Sequence, residues 1–428
     1  MRLRIISIIY FALIASIGFF PIPSNPLPID SKGYHWLLWG IINSVLLLIL
    51  FVKSRKENLK IPKSPSLISF IIFFLIAGLS SIVAINRVES LVKLTDVFVV
   101  MSSLIIVYYI IVNRLIDFGV LLWIVFFKLL IEVIAGYYQL YNLTSGFQYD
   151  FTSNLSAYLK SFYGNKNVTS FALLIQSTIS MILFWKLKSK PLKIFVAILI
   201  LSTFYLLLFI STRGVFVSIL LMLALLILVM FLKYKYDKKI DLNEIKKVGL
   251  YVLFIAIPYL IFNLNYSEKS LDIADRTISV SQIDGESVSS RLRYWSHAIS
   301  SIVKNPITGI GIGNWKIYSI KYDSENIFSY VIPYSTHNDF LEIFAETGFF
   351  GFLSYFLFFF FIFKKSFANL IQWIKSNANH YHVYMFFCLM FFLIDINLNF
   401  PLSRPLMQII LILFITAFET LNYHEKQE

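Results

Sequence analysis

At 428 residues, 58% hydrophobic and 14% charged, with a mean hydropathy of +0.75, the chain is too apolar for a soluble globular protein. Its formal charge of +13 would suggest nucleic acid in a soluble protein. Here the Lys and Arg excess reads as the positive-inside signal of a multi-pass membrane protein, and no nucleic-acid partner is expected. The single cysteine, Cys388, excludes an internal disulfide.

Apolar stretches of about 20 residues, the length that crosses a bilayer, recur along the whole chain. About twelve are expected, near residues 4–20, 36–52, 67–84, 91–112, 120–141, 168–185, 194–210, 215–232, 248–262, 338–363, 383–398 and 407–421. The first is followed by Pro21-Ile22-Pro23 and further membrane segments, so it reads as a retained anchor and not as a cleaved signal. With an even number of spans, one set of loops holds Lys53/Arg55/Lys56/Lys60/Lys63, Lys186/Lys188/Lys190/Lys193, Lys233/Lys235/Lys238/Lys239/Lys246/Lys247 and Lys364/Lys365. That set is expected on the cytoplasmic side together with both termini. The opposite loops are poor in Lys and Arg, with Lys32, Arg87 and Arg404 as isolated cases.

The organisation expected is all-α and polytopic: residues 1–266 carry nine spans, 267–336 form one large outer loop, and 337–428 carry three more. The segment from Tyr141 to Asn167, rich in Asn, Ser and Tyr, is expected to be ordered against the outer surface. The large loop is basic (Lys269, Arg276, Arg291, Arg293, Lys304, Lys316, Lys321) although it lies outside. Long loops translocate regardless of charge, so these cations serve something other than topology, and an anionic ligand is the natural guess. Within it, Asp284-Gly285-Glu286-Ser287 reads as a turn, and Ser289/Ser290 as caps of a helix to about Val303, with Leu292, Trp295, Ile299 and Ile302 on its apolar face. Asn305-Pro306 stops that helix. Gly309-Ile310-Gly311-Ile312-Gly313-Asn314 tempts with a phosphate cradle. It lacks the strand, helix and lysine of a nucleotide motif, and a tight packing loop is preferred.

Seven positions stand out chemically. Arg213, in Ser211-Thr212-Arg213-Gly214, sits between two apolar runs with almost no loop around it. It is either an interfacial anchor on lipid phosphate or a fixed ligand for a diphosphate, a task that suits the planar, always-charged guanidinium. Arg291 and Arg293 point about 200° apart on a regular helix. Arg291 shares a face with Trp295 and Ala298 and is preferred as a ligand, whereas Arg293, nearer His297, falls on the solvated side while staying a candidate for substrate binding. His337 lies where the outer loop meets a span; it can accept a proton near pH 7, or it can be a satisfied polar cap beside Thr336 and Asn338. Glu346 reads as a buried acceptor. Asp395, inside a span beside Asn397 and Asn399, is a candidate to orient His337 or to pair with an arginine, and Asn338 is a further candidate for substrate contact. No metal-ligand spacing is present, so neither metal nor cofactor is expected.

These residues together resemble the bacterial O-antigen ligase / O-antigen polymerase superfamily. The resemblance rests on Ser211-Thr212-Arg213-Gly214; on Ser290-Arg291 followed by Trp295, Ala298, Asn305-Pro306 and Gly309-Ile310-Gly311; and on His337-Asn338 followed by Leu341, Glu346 and Gly348. Asn165 and Asn167 are a weaker feature, and residues 160–420 carry the likeness. It implies a bundle similar to the C-type membrane glycosyltransferases, with one large periplasmic loop, in the bacterial inner membrane among membrane lipids. It further implies a metal-free, inverting transfer of a glycan from undecaprenyl diphosphate to a hydroxyl of lipid A–core oligosaccharide. By that likeness Arg213 and Arg291 bind the diphosphate and His337 is the general base. A polymerase of the same superfamily is the nearest rival. A lipid-linked glycan transporter is disfavoured because no internal repeat is visible.

Overall fold

The computed structural model describes residues 2–20, 31–54, 60–145, 156, 158–237, 242–265, 286–326, 334–376 and 379–425. Among these residues there is no β-strand and there are fourteen α-helices. In chain order they are α1 (Arg2–Ser16), α2 (Ser31–Ser54), α3 (Pro65–Ser80), α4 (Arg87–Val112), α5 (Phe118–Ser145), α6 (Lys166–Lys186) and α7 (Lys190–Ile210). Then follow α8 (Arg213–Asp237), α9 (Leu242–Asn265), α10 (Glu286–Lys304), α11 (Trp315–Asp323), α12 (Asp339–Ser376), α13 (Tyr381–Leu398) and α14 (Pro405–Glu425). Eleven of the helical segments are long and apolar enough to cross a membrane; the expected span at 248–262 falls on the shorter apolar stretch Gly249–Asn265 of α9. The protein is an all-α polytopic membrane protein. Large apolar side chains such as Ile9, Leu48, Leu75 and Ile227 lie exposed on these helices, as a lipid-facing surface requires.

The chain packs as two compact units. The first comprises Met1–Leu115, Ile283–Ile362 and Asp395–Ile412. Its helix starts follow local chemistry: Pro65 opens α3, and the Asn86 side chain caps α4 by accepting from the Val88 and Glu89 N–H groups at 3.0 and 3.2 Å. The buried polar groups of the early spans satisfy one another. Asn43 donates to Val99 O (2.9 Å) and Ser102 Oγ (2.8 Å) and accepts from the Tyr10 hydroxyl (3.0 Å). Phe70 and Phe73 pack against Phe358 and Tyr355, which fixes α3 on the middle of α12.

The second unit comprises Ile116–Gln282, Phe363–Ile394 and Leu413–Glu428. Its α6 is buried along nearly its whole length, and Asn165 caps its start. A buried charge network ties α5 to α6. Lys128 pairs with Glu132, which also accepts from the Tyr163 hydroxyl (2.7 Å) and from Gln176 Nε2 (2.6 Å).

Three sequence expectations change here. The helix read as starting at Ser289/Ser290 already runs at Glu286, so those serines sit inside its first turns; residues 284 and 285 lie outside the described residues. Leu292 and Ile299 are exposed, and the buried seam of α10 is instead Ala298 with Ile302, packed on Ile310, Trp315 and Ala345. The apolar residues divide because α10 is covered along one narrow stripe only. Finally, the span expected at 338–363 is a 38-residue helix broken at Gly348, whose φ of 69° is non-helical. Part of the segment from Tyr141 to Asn167 that is expected to be ordered, residues 146–155 and 157, lies outside the described residues.

Candidate functional site

The break at Gly348 exists because the glycine-rich loop is hydrogen-bonded into it. Ile310 N–H donates to Ala345 O (3.0 Å), Gly311 N–H to Glu346 O (2.9 Å), and Phe349 N–H to Pro306 O (2.8 Å). A Cβ on Gly348 would stand 2.0 Å from Ile307 O, and one on Gly309 2.3 Å from Glu346 O. The loop's other side seats on the α3–α4 corner: Ser90 Oγ donates to Ile312 O (2.6 Å), and Asn314 brackets the Asn86 backbone. Glu346 accepts from Trp315 N–H at 2.8 Å. The glycines are therefore a close-packed joint and Glu346 its acceptor.

That joint holds the start of α12 under the loop that carries the histidine. Asn338 caps α12 by accepting from Leu341 N–H (3.1 Å), while Thr336 Oγ1 donates back to Asn338 O (2.8 Å). Glu342, one turn into the helix, accepts from Ser335 Oγ (2.8 Å) and Thr336 N–H (2.9 Å). Trp295 Nε1 of α10 donates to Thr336 O at 3.0 Å. So constrained, His337 is held at φ 57°, in the left-handed region. For a non-glycine residue that costs on the order of 1–2 kcal/mol, a cost the surrounding hydrogen bonds must offset.

The imidazole faces a cavity of ≈ 630 Å³ in the first unit. Its lining includes Tyr294, Tyr334, Ser335, Phe400, Lys93, Lys316, Ser403, Arg404, Glu342 and Glu346. Tyr294 stacks near the His337 ring (6.4 Å, 16°) and Phe400 packs edge-on to it (5.0 Å). His337 Nδ1 is buried and has no hydrogen-bond partner among the described residues. Burial first, then the positive charges of Arg291 and Arg404, push the imidazole down from 6.5 to about 4. At neutral pH it is therefore an uncharged ring able to accept a proton.

Residues 195–356 match the family model for O-antigen ligase. This match supports the O-antigen ligase/polymerase superfamily for the chain. It spans well under half of the 428 residues but contains Arg213, Arg291 and His337. No curated protein matches the chain.

The residues singled out in the sequence fare differently. Arg291 lies on the face of α10 that carries Tyr294, Trp295 and Ala298, and its charge acts on His337. Arg293, a candidate for substrate binding, points elsewhere: its Nε lies 2.7 Å from Asp323 Oδ1, and it does not line the cavity. A buried carboxylate on α11 claims it, as the opposite helical face foretells. Asn338 is used as the cap of α12 and as a donor to Asn397 Oδ1 (3.3 Å). Asp395 neither orients His337 nor pairs with an arginine among the described residues; its carboxylate accepts from Asn399 Nδ2 at 2.6 Å, one turn along its own helix.

Arg213 opens α8 in the second unit, exposed and without a hydrogen bond or ion pair among the described residues. Ser211, at φ 48°, ends α7, and the buried Ser211 and Thr212 hydroxyls have no partner among the described residues. A helix N-terminus with two unsatisfied hydroxyls and a guanidinium is a place that favours an anion.

Lys93 and Arg404 escape the sequence reading of the site, and Lys316 is not singled out within it. Lys316 is one of the loop cations that the sequence assigns collectively to an anionic ligand, and Arg404 reads there as an isolated exception to the charge asymmetry. Nothing in the sequence brings α4 and the α13–α14 turn to one wall.

Proposed function

We propose that the protein is an O-antigen ligase. It moves a glycan from undecaprenyl diphosphate to a hydroxyl of lipid A–core oligosaccharide on the periplasmic face of the bacterial inner membrane, with both termini cytoplasmic. The observation that carries this reading is His337: an uncharged imidazole whose buried Nδ1 has no partner among the described residues, held in strained backbone at the edge of a cavity lined by both cations and carboxylates, inside the stretch that matches the family.

The chemistry follows from that geometry. The His337 ring accepts the proton of the acceptor hydroxyl as its oxygen attacks the anomeric carbon. The bond from that carbon to the diphosphate oxygen breaks, undecaprenyl diphosphate leaves, and the configuration inverts. Negative charge grows on the leaving diphosphate, where guanidinium groups stabilise it more in the transition state than in the ground state. Arg291 takes that role from the charge it projects on His337. Arg213 is assigned it from its motif and the anion-favouring end of α8.

The two functions are coupled. Burial first, then Arg291 and Arg404, hold the imidazole near 4, a weak base. A bound diphosphate offsets those two cations and raises the ring from about 4 by the part they contribute, so the donor strengthens the base while burial still holds it below its ordinary value. The test is transfer in vitro by the purified full-length chain with His337→Ala and Arg291→Ala alongside. Loss of transfer with retained folding is expected. Wild-type turnover by His337→Ala would rule the base assignment out.

A further inference from the structure

Between α13 and α14 the chain makes a short 3-10 turn, Pro401–Ser403. Leu402 N–H of that turn donates to Asp339 Oδ2 at 2.8 Å, which ties it to the first residue of α12, two positions after His337. The turn carries Ser403 and Arg404 onto the wall of the cavity that His337 lines. The Arg404 guanidinium stacks over the Phe400 ring at 4.6 Å, and Phe400 is the ring that packs edge-on to His337. From α4, Lys93 lines the same cavity and donates from Nζ to Ser403 Oγ at 2.6 Å.

Carboxylates share this wall with the cations, and the Lys93 charge acts on Glu346 and Asp339. Glu89 pairs with Lys316 at 2.5 Å, Glu342 accepts from Ser335 and Thr336, and Glu346 accepts from Trp315 N–H; Asp96 also lines the cavity. Stacking engages the flat face of a guanidinium, whereas an anion is held by its in-plane N–H groups, so the Phe400 contact and anion binding are compatible. The charge of Arg404 acts on the His337 ring alongside that of Arg291. A cation that close to the base is also close to the bond that breaks.

We propose that Arg404 and Lys93 form a phosphate-binding subsite in the His337 cavity. The inference rests on the transferase reading above and adds to it a pair of cations outside the motifs that carry the family resemblance. The phosphate is either the donor's diphosphate or a phosphate on the acceptor glycolipid; both present the same tetrahedral anion to a guanidinium and an ammonium.

The experiment measures binding to the purified full-length protein in nanodiscs. Donor-side probes are undecaprenyl diphosphate and undecaprenol; acceptor-side probes are phosphorylated lipid A–core and its dephosphorylated form. The proteins are wild type, Arg404→Ala, Arg404→Lys and Lys93→Met, with Arg404→Lys and Lys93→Met keeping the test open should Arg404→Ala misfold. Arg404→Ala is expected to weaken a phosphate-bearing probe about tenfold or more, the loss of charged hydrogen bonds, and to leave its phosphate-free partner unchanged. Lys93→Met weakens the same probe, and Arg404→Lys retains part of the affinity. Loss on undecaprenyl diphosphate assigns the subsite to the donor, and loss on phosphorylated lipid A–core to the acceptor. Wild-type affinity of the variants for every phosphate-bearing probe overturns the subsite while the transferase reading stands. A wild-type protein that does not distinguish undecaprenyl diphosphate from undecaprenol, with His337→Ala still active, overturns both.

Discussion

If His337 is the general base, its low proton affinity sets where transfer fails in acid. The folded pKa lies below the ordinary value, at about 4, so the base form is present above that value and is lost as the pH falls through it. At pH 5.5 an imidazole with a pKa of about 4 is about 97% neutral, whereas one at 6.5 is about 9% neutral, a difference of about tenfold in rate. The assay is kcat/KM for transfer from lipid-linked glycan by the purified protein between pH 4 and 8, because that ratio reports the free enzyme. The wild type is expected to hold its rate down to about pH 5. Arg291→Gln removes one of the two cations that depress the ring, so its acid limb moves up toward 6.5 whatever its loss in rate. The profile of kcat should also lie higher than that of kcat/KM, since the bound diphosphate offsets the same cations. An acid limb near 6.5 in the wild type, unmoved by Arg291→Gln, would refute the electrostatic account of the site.

Three further expectations concern the scaffold. Gly348→Ala places a Cβ 2.0 Å from Ile307 O at a φ of 69°, and should lower stability by about 2 kcal/mol or more; an unchanged melting temperature would mean that the joint is not built as described. Glu132→Ala strands the buried Lys128 charge and should cost about 3–5 kcal/mol, read as loss of monodisperse protein, with Glu132→Gln milder; equal melting of wild type and Glu132→Ala would contradict a buried pair. Arg293→Ala removes the pair with the buried Asp323 and the cation over the Tyr294 ring, so transfer should persist within a few-fold while stability falls by about 2 kcal/mol or more; a loss of transfer as large as that of Arg291→Ala would return Arg293 to the site.

Much of the architecture was legible because membrane spans are read from length and hydropathy alone, and eleven of the expected spans correspond to helices that qualify. The stop at Asn305-Pro306 and the packing role of the glycine loop were legible too, since proline and glycine act locally. The opposed faces of Arg291 and Arg293 came from helical spacing, and the Arg293–Asp323 pair fits it. What escaped was set by tertiary contacts. The break at Gly348 is dictated by a loop about forty residues earlier, and hydropathy runs through it unmarked. The stripe of α10 that is covered depends on Trp315 and Ala345, which sequence spacing cannot supply. Asp395 drew attention as an intramembrane carboxylate, yet a single asparagine one turn away is its hydrogen-bond partner. Lys93 and Arg404 are separated by some three hundred residues and meet only through the turn at Pro401–Ser403.

The central claim is tested most directly by the surface glycan of cells. The gene is deleted, and lipopolysaccharide is resolved on a gel with complementation by wild type, Arg213→Ala, Arg291→Ala and His337→Ala. The account predicts that deletion leaves long polymer on undecaprenyl diphosphate and none on lipid A–core, that wild type restores it, and that the three variants at normal membrane levels do not. A core that carries one repeat unit and no long chains would assign the protein to the polymerases instead, and an unchanged ladder would contradict both acceptor assignments.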